Sequence, residues 1–539
     1  MNTEVFKARS SSSIVPGLPP GLTSSFVIGL AILLGGALRV VFVVRVDFPY
    51  NDGGLFYTLV KELVANSFRI PAFSAYNATH LPVVYPPLAF YLAGLINFLF
   101  GVSVIEIQRW LPLVFSLLTI PAFAWLSLAI LKDPPAAALA TLAFALLPNS
   151  TDRLLMGGGL TRAPGFFFAL IALACIYRLF EDDNKGCCRR DLWLAILFSA
   201  LTVLSHPVYA WFVAYSSAVF LLFSPHKRRN LGLSLGVAAG VLLVSAPWWG
   251  SILHTHGLAP VLGAFQSRNA LPLIVSLSQL LFFDLSREFF LEILGVLSLA
   301  GLVFSLYEKK TFWLVWLLAI FLFERTSPVA LAVVPLAMLS GLACARLLAA
   351  GEHTWESPYQ RRFVQIGFTI LVYYCAISSY LSFSAPVLTQ AVRRSMEWTT
   401  QNSAPHSPYL VLTSNPWWDD PLTEWFPALT GRTSLTTVQG YEWTSLLQFA
   451  QRVNRYDAVR NCLQSIQVDC LAKWSADQQT TFDYIFVPKL PPARGQTPLE
   501  STPLVQALRQ SSDYQLVSEQ DGALIFKPNA ENSKIHPTR

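Results

Sequence analysis

Long apolar runs recur along the first 390 residues and are separated by short charged or proline-containing breaks. The first run, 24–44, is about 20 residues long and can therefore cross the hydrocarbon core of a bilayer. Arg45 follows this run in place of a small-residue cleavage site, which predicts an uncleaved membrane helix and not a removable signal peptide. Ten further runs predict additional spans: 110–131, 135–148, 163–180, 192–205, 208–224, 231–249, 288–306, 311–323, 327–345 and 363–385.

One more apolar run, 85–100, is short and begins with two prolines after Tyr85. We predict an interfacial or partly re-entrant helix there, on the outer face, and not a span. Lys and Arg in short loops mark the cytoplasmic side of a membrane protein. With the basic loops placed inside, eleven spans remain, the N-terminus is cytoplasmic and the C-terminal tail is exoplasmic.

The tail loses the membrane pattern. Strand-like segments such as Tyr409-Leu-Val-Leu-Thr alternate with helical ones such as 444–463, which is typical of an α/β domain. The predicted fold is thus an α-helical polytopic membrane domain followed by an exoplasmic α/β domain. The boundaries are a cytoplasmic N-terminal linker at 1–23, a membrane domain at 24–389 with a large first outer loop at 45–109, an exoplasmic domain at 390–530 and a disordered tail at 531–539.

Composition agrees with a membrane location. Hydrophobic residues make up 53% of the chain and charged residues only 13%, whereas ordinary soluble domains are about 25% charged. The net charge of +6 fits basic cytoplasmic loops, and no compact basic patch interleaved with aromatics indicates nucleic-acid binding. The seven cysteines lack metal-ligand spacing. Cys462 and Cys470 could pair if the tail is exoplasmic, and two free thiols are the alternative.

Every break on the predicted outer side carries ionisable residues. Charges near membrane depth are costly and usually face a cavity with a function. Five such breaks on one face are hard to explain by structure alone. Their ionisable residues are Asp47, Asp52, His80, Asp152, Arg153, Arg162, His206, Asp284, Arg287, Glu288, Glu324 and Arg325.

These residue types suit group transfer from a lipid-linked sugar, which needs a base, a cation for the phosphate and an apolar groove. Asp52 is the candidate base, since two glycines follow it and permit a tight turn or a close approach. Arg162 and Arg325 are the candidate phosphate ligands, because a planar guanidinium matches phosphate geometry. Asp52, Asp152 and Glu324 offer the hard oxygens that Mg²⁺ or Mn²⁺ prefers.

Each of these candidates has a structural alternative. The acids could cap helices at the interface, and Arg162 could be an interfacial side chain that reaches toward water. Glu324 and Arg325 could form a local ion pair. His80 and His206, two further candidates for substrate contact, could be turn histidines.

The tail contains one conspicuous patch, 414–421 with Trp417-Trp418-Asp419 at its centre, followed by Glu424-Trp425 and Gly431-Arg432. Aromatic rings stack on the apolar faces of sugars while carboxylates accept hydroxyl or amide protons, so the patch suits a sugar or peptide ligand. Anchoring of the tail at the membrane interface by the two tryptophans is the alternative.

Together these residues resemble the GT-C glycosyltransferases, multispan enzymes that use polyprenyl-phosphate-linked sugars. Asp52 matches the acid of their first outer loop. The stretch beginning Tyr85-Pro-Pro resembles an element of protein O-mannosyltransferases and aminoarabinose transferases. Asp152 and Glu324-Arg325 fall where oligosaccharyltransferase catalytic subunits have their second acidic motif and a late outer loop. Trp417-Trp418-Asp419 resembles the start of the oligosaccharyltransferase signature, although Asp420-Pro421 follows in place of Tyr-Gly.

The resemblance implies transfer of a sugar from a polyprenyl phosphate to an exoplasmic protein, lipid or glycan. In that case the partners are the lipid-linked donor, membrane lipids and the acceptor. A transporter or lipid-handling protein, or a non-catalytic glycan-binding partner, are the alternatives. Transporters usually contain repeated halves, and this sequence has no clear internal repeat.

Overall fold

The computed structural model describes residues 23–181, 185–267, 271–281, 285–354, 358–489 and 498–529. Residues 1–22 of the predicted linker, the predicted tail 531–539 and Asp284 lie outside these ranges.

Fifteen helices form in the described part of the chain before residue 390. A helix lies at each of the eleven apolar runs and at 85–100, as the hydrophobic pattern predicts, and three further helices lie outside these runs. They are α1 (Ser24–Val44), α2 (Gly54–Ala65), α3 (Leu88–Phe100), α4 (Val104–Leu131), α5 (Pro134–Leu146), α6 (Gly159–Glu181), α7 (Lys185–Ser205), α8 (Pro207–Phe223), α9 (Lys227–His256), α10 (Ala259–Gln266), α11 (Leu273–Leu281), α12 (Ile293–Tyr307), α13 (Phe312–Phe323), α14 (Pro328–Thr354) and α15 (Pro358–Ser382).

Six segments of the described chain are long and apolar enough to cross a membrane. They are α1, α4, α6, α9, residues Pro328–Ala350 of α14 and residues Arg362–Ser382 of α15. Five more helices are apolar but shorter: α3, α5, α8, α12 and α13. The structure is therefore mostly helical with several membrane-type helices, and the count of eleven spans stays a prediction.

Proline and capping residues explain several helix starts. Asp133 precedes the Pro134-Pro135 start of α5 and accepts a hydrogen bond from the Ala136 N–H at 3.4 Å. Proline costs nothing at such a position because its missing N–H would have no helical partner there. Residues 135–146 of α5 are all buried, and α1, α4 and α14 pack around this helix. The small alanine-rich helix thus forms the centre of the bundle.

The first outer loop contains α2, α3 and a small antiparallel hairpin of β1 (Phe73–Ser74) and β2 (Leu81–Pro82). The helix α3 has 13 residues and rises about 20 Å, which is shorter than the roughly 30 Å hydrocarbon core. Its length fits the interfacial or re-entrant placement that the sequence predicts.

The tail folds as helices on a five-stranded sheet with the strand order β4-β3-β5-β7-β6. Strands β4, β3 and β5 run parallel, and β7 is antiparallel to both β5 and β6. The disulfide Cys462–Cys470 closes a loop between two helices with a Cα–Cα distance of 5.8 Å. The elements are α16 (Gln390–Asn402), β3 (Pro408–Val411), α17 (Pro421–Thr430), β4 (Thr433–Ser434), α18 (Leu446–Cys462), α19 (Asp469–Asp477), β5 (Tyr484–Pro488), α20 (Pro503–Gln510), β6 (Tyr514–Glu519) and β7 (Ala523–Pro528).

The tail packs against the first outer loop. The Asn77 side chain pairs with the Ser434 backbone at the edge strand β4, donating to its carbonyl oxygen at 2.9 Å and accepting from its N–H at 2.7 Å. Asp47 forms an ion pair with Arg393 of α16, and this pair holds the pKa of Asp47 below its usual value. These contacts bring α17 next to Asp52.

Candidate active site

The loop that carries Asp52 lies between two other chain segments. Tyr50 forms backbone bridges to Met156 on one side and to Val387 on the other. Its carbonyl oxygen accepts from the Gly157 N–H at 2.8 Å, and the Asn51 N–H donates to the Pro386 carbonyl oxygen at 2.7 Å. The backbone before Asp52 is therefore fixed by segments more than one hundred residues away along the chain.

The Asp52 carboxylate has two partners at the start of α6. Its Oδ1 accepts from the Gly158 N–H at 2.8 Å, and its Oδ2 forms an ion pair with the Arg162 guanidinium. About a quarter of each of the two charged side chains stays exposed. A Cβ at position 158 would lie 2.6 Å from Asp52 Oδ2 and 2.8 Å from an Arg162 nitrogen. Only glycine allows this close approach at position 158, so the pair depends on the glycine run before Arg162.

The tail contributes Glu424, in the first turn of α17, to the same loop. Glu424 Oε1 accepts from the Gly53 N–H at 2.9 Å and from the Leu55 N–H at 3.2 Å. Burial raises the pKa of Glu424, and the negative charge of Asp52 raises it further. The Trp425 indole N–H also donates to the Asn51 carbonyl oxygen at 3.0 Å. The sequence pattern placed Glu424 in the tail patch but not among the predicted catalytic, binding or metal residues.

Arginines gather beside the Asp52–Arg162 pair. Burial lowers the pKa of Arg153, and the like charges of Arg162 and Arg287 lower it further. Burial raises the pKa of Asp152 to about 7, opposed by Arg287, Arg153 and Arg39. Arg153 and Arg287 thus extend the positive charge of Arg162, and neither was among the residues predicted to bind substrate.

Arg39 supports this arrangement from inside α1. It is fully buried and donates to the Ser116 hydroxyl at 3.1 Å, to the Ala145 carbonyl oxygen at 3.1 Å and to the Ser150 hydroxyl at 2.9 Å. The last two contacts hold the end of α5 and the turn that leads into Asp152. Asp152 Oδ1 is buried and has no hydrogen-bond partner among the residues that the structure describes.

Tyr85 and His206 lie at the edge of this charged region. The Tyr85 hydroxyl is 3.3 Å from the Thr161 hydroxyl, and the Tyr85 ring lies 6.2 Å from the His206 ring and 5.8 Å from that of Trp443. His206 caps α8, since its Nδ1 accepts from the Val208 N–H at 3.3 Å. The structure thus places the Tyr85 hydroxyl against Thr161, the residue before Arg162. His206 lies beside the Tyr85 ring, and its own hydrogen bond serves to cap α8.

An apolar groove of about 500 Å³ runs from Tyr85 between the first outer loop and α9. Most of the α9 surface is exposed, which suits contact with lipid. The Trp248 indole nitrogen is buried in this region and has no hydrogen-bond partner within the described ranges. Residues that line the groove include Ile70, Tyr85, Tyr91, Val244, Trp248 and His256.

Two predicted substrate residues lie apart from Asp52. His80 is exposed, and its ring contacts Phe73, which in turn contacts His256 at the outer end of the groove. Arg325 is exposed as well, and its carbonyl oxygen accepts from the Leu271 N–H at 2.9 Å. The charges that act on Asp152 come instead from Arg287, Arg153 and Arg39.

The three predicted metal ligands have different hydrogen-bond partners, although Asp152 and Glu324 both lie within electrostatic reach of Arg153. Asp52 binds Gly158 and Arg162, Asp152 lies among arginines, and Glu324 Oε1 accepts from the Thr326 N–H at 3.0 Å and the Ser327 N–H at 3.3 Å before α14. Across the described ranges, no three His, Cys, Asp or Glu side chains are grouped so that they could hold a metal ion. As arranged, these carboxylates do not form a ligand set, and Mg²⁺ or Mn²⁺ binding stays a prediction.

The tail patch divides into a packed half and an exposed half. The Trp417 ring packs on Phe449 at 5.6 Å, whereas 64% of Trp418 is exposed. Burial raises the pKa of Asp419, and Asp52 contributes to this shift, so Asp419 lies within electrostatic reach of the candidate base. Asp420 instead caps α17 and accepts from the Tyr456 hydroxyl at 3.0 Å.

No protein-family model and no curated protein sequence matches this chain. Solved structures do. The oligosaccharyltransferase of Archaeoglobus fulgidus, in complex with Zn and sulfate, matches with a TM-score of 0.57 and 16% identity over 86% of this chain and 68% of its own. ArnT from Cupriavidus metallidurans, bound to undecaprenyl phosphate, matches with a TM-score of 0.54 and 16% identity over 93% of this chain and 98% of its own.

These neighbours are GT-C glycosyltransferases. The chain has a GT-C-type fold. The mycobacterial arabinofuranosyltransferase AftD, also of this class, matches with a TM-score of 0.57 and 16% identity over 96% of this chain, which spans only 41% of AftD. The resemblance that the sequence motifs suggested is therefore confirmed at the level of the fold.

Proposed function

We propose that this protein is a membrane glycosyltransferase that transfers a sugar from a polyprenyl-phosphate-linked donor to an exoplasmic acceptor. The observation that carries the proposal is the Asp52–Arg162 pair. The pair joins the first outer loop to the start of α6, beside Arg153 and Arg287, and the neighbouring Tyr85, which contacts Thr161, lines an apolar groove. This arrangement supplies the carboxylate, the cations and the lipid-binding surface that the reaction needs.

The groove would bind the polyprenyl chain of the donor, and the arginines would bind its phosphate. The polyprenyl chain would lie in the groove beside α9, with Tyr85 at the inner end. The phosphate would then reach Arg162, Arg153 and Arg287, whose guanidinium groups neutralise the charge that develops on the leaving group. The undecaprenyl phosphate bound to the ArnT neighbour supports a donor of this chemical class.

The acceptor would enter from the tail side, past Trp418 and Asp419. An acceptor hydroxyl attacks the anomeric carbon of the sugar, and its proton passes to Asp52. The bond between the anomeric carbon and the phosphate oxygen breaks, and the electron pair leaves on the phosphate. In this scheme the other predicted site residues contact substrate or support the residues that do. They are Tyr85, His80, His206, Trp417 and Arg325.

The topology belongs to the same proposal. Eleven spans would place the N-terminus in the cytoplasm and residues 390–530 outside, with 24–389 as the membrane domain. The Cys462–Cys470 disulfide supports an oxidising location for the tail. A carboxylate set for Mg²⁺ or Mn²⁺ would require Asp52, Asp152 and Glu324 to rearrange, so no step of the proposed reaction depends on a metal ion.

Replacement of Asp52 tests the function. Purified wild type and Asp52→Asn are each supplied with a panel of polyprenyl-phosphate sugars in proteoliposomes, and label transfer to added glycan, lipid and peptide acceptors is measured. We expect transfer by the wild type and a loss of about 100-fold or more in the variant, the range for a positioned acid or base. Full activity of a folded Asp52→Asn protein would remove Asp52 as the base.

A binding measurement separates the enzyme from a transporter. Undecaprenyl phosphate should still bind Asp52→Asn at least as tightly as wild type, because the variant keeps the three arginines and releases Arg162 from its ion pair. Movement of the labelled lipid across the vesicle bilayer without any transfer of sugar would instead indicate a lipid transporter.

A further inference from the structure

The tail supplies a helix cap to the first outer loop. Gly53 precedes α2 and carries no side chain that could accept from the free N–H groups at the start of the helix. Glu424, which is 5% exposed, takes this place, with Oε1 at 2.9 Å from the Gly53 nitrogen and 3.2 Å from the Leu55 nitrogen. A carboxylate is a favourable partner for a helix N-terminus. The cap comes from a residue 371 positions further along the chain.

The backbones at this contact touch directly. A Cβ at Gly54 would lie 2.5 Å from the Glu424 carbonyl oxygen and 3.0 Å from the Trp425 Cα. The same carbonyl oxygen accepts from the Tyr76 hydroxyl at 2.6 Å. The start of α17 and the start of α2 are therefore fitted together at a distance that only glycine permits.

These contacts fix the residues on both sides of Asp52. The carbonyl oxygen of Asn51 accepts from the Trp425 indole, and the N–H of Gly53 donates to Glu424. Asp52 thus has its own backbone held from both directions, and its carboxylate points to Gly158 and Arg162. If the cap were lost, the start of α2 would fray and the carboxylate would lose its alignment.

We propose that Glu424 is a positioning residue for Asp52, acting through the Gly53 and Leu55 N–H groups and not by contact with substrate. The proposal rests on the proposed function in that it takes Asp52 as the reacting carboxylate. The groups that face Glu424 are Asp52, Glu442 and Tyr76. A protonated Glu424 still accepts both hydrogen bonds through its carbonyl oxygen, so the cap persists in either protonation state.

Three substitutions of Glu424 distinguish the effect of side-chain length from the effect of charge. Glu424→Gln keeps the length of the side chain and an acceptor oxygen but removes the charge. Glu424→Asp keeps the charge but shortens the side chain by one methylene, and Glu424→Ala removes both. The matched control is Glu62→Ala, because Glu62 Oε1 accepts from the Ala75 N–H at 2.9 Å within the same outer loop but away from Asp52.

Hydrogen–deuterium exchange of the full chain in nanodiscs measures the cap without any substrate. In Glu424→Ala and Glu424→Asp, the amides of residues 53–55 should exchange about tenfold faster, as expected when buried N–H groups lose their hydrogen-bond acceptor. Glu424→Gln should stay within about twofold of wild type, and Glu62→Ala should leave residues 53–55 unchanged. Unchanged exchange in Glu424→Ala would overturn the proposal.

Steady-state kinetics provide the second readout. The alanine and aspartate variants should lose about 100-fold in kcat, with the donor KM within about twofold, because misplacement of a catalytic group affects the transition state and not donor binding. The glutamine variant should recover most of this loss. If the alanine variant misfolds, the other two decide: an active aspartate variant with an inactive glutamine variant would overturn the proposal.

The two readouts separate this proposal from the proposed function. If wild type transfers no sugar but Glu424→Ala still exchanges faster at residues 53–55, the proposed function is contradicted and the proposed cap is supported. Full activity of Glu424→Ala, with Asp52→Asn inactive, would contradict the positioning role and leave the function intact.

Discussion

The sharpest test of the site is the addition of one methyl group at Gly158. A Cβ there would lie 2.6 Å from Asp52 Oδ2, and ordinary van der Waals contact begins at 3.4 Å, so the carboxylate or the new methyl must move by about 0.8 Å. The Arg162 guanidinium must shift as well, because its nitrogen would be only 2.8 Å from the same Cβ. Gly158→Ala therefore displaces both members of the ion pair.

A misplacement of about 1 Å costs about 100-fold in rate, which corresponds to about 2.7 kcal/mol of activation free energy. We expect Gly158→Ala to lose about this much kcat in the sugar-transfer assay. The control is Gly29→Ala in α1, where nothing lies within 4 Å of the new Cβ. That variant should keep wild-type kcat and elute as a monodisperse protein.

Two outcomes would refute this reasoning. Gly158→Ala with wild-type kcat would mean that the Asp52–Arg162 contact does not govern the reaction. A fall in melting temperature and loss of monodispersity, restricted to Gly158→Ala, would mean that the glycine serves folding and not catalysis.

Four further predictions follow from other parts of the molecule. Arg287→Gln should weaken undecaprenyl phosphate binding about tenfold, as lost charge-assisted hydrogen bonds predict, and unchanged affinity would place the phosphate elsewhere. Transfer should persist in EDTA, because the acids near the site do not form a ligand set; loss of activity that Mn²⁺ restores would contradict this. Cys462→Ser should lower the free energy of unfolding of the tail by about 2 kcal/mol, since the disulfide closes a loop with a sequence separation of 8. Denaturant unfolding measures this loss, and wild type with reductant should show the same loss relative to wild type without it. Burial raises the pKa of Asp152 from 3.8 to about 7, so the folded state favours the protonated carboxyl. The stability that this preference contributes is lost as the pH rises through about 7. Asp152→Asn should therefore flatten this part of the plot of melting temperature against pH, and an unchanged slope would contradict the role of Asp152.

The sequence located the helices well because hydrophobic runs and prolines act locally. Every predicted apolar run forms a helix, and Pro134 and Pro207 start helices where the breaks suggested. In the tail, α16 and α19 were not predicted because they are short, polar helices without a long apolar face. Their positions depend on packing against the sheet, which the local pattern does not contain.

The site was predicted in part for the same reason. Asp52 and Arg162 were recognisable from glycine neighbours and a membrane-edge position, and the structure joins them. Glu424 was recognisable only as part of the tail patch, because its contact with Gly53 joins residues 371 positions apart. Arg287 lies in a left-handed backbone conformation with φ of 53°, and only the folded turn shows that its charge reaches Asp152. Arg325 looked equivalent in sequence and is exposed like Arg287, but the charges that act on Asp152 are those of Arg287, Arg153 and Arg39.

The contact between α2 and α17 also sets the order of events during synthesis. Asp52 emerges early, with α1, but its loop stays uncapped until Glu424 and Trp425 have been made. A nascent chain that stalls before α17 would therefore hold the Asp52 carboxylate in an unaligned state. The proposed transfer thus requires the chain to extend beyond residue 425, and a truncation before residue 424 is expected to leave a helical bundle in which Asp52 is not positioned.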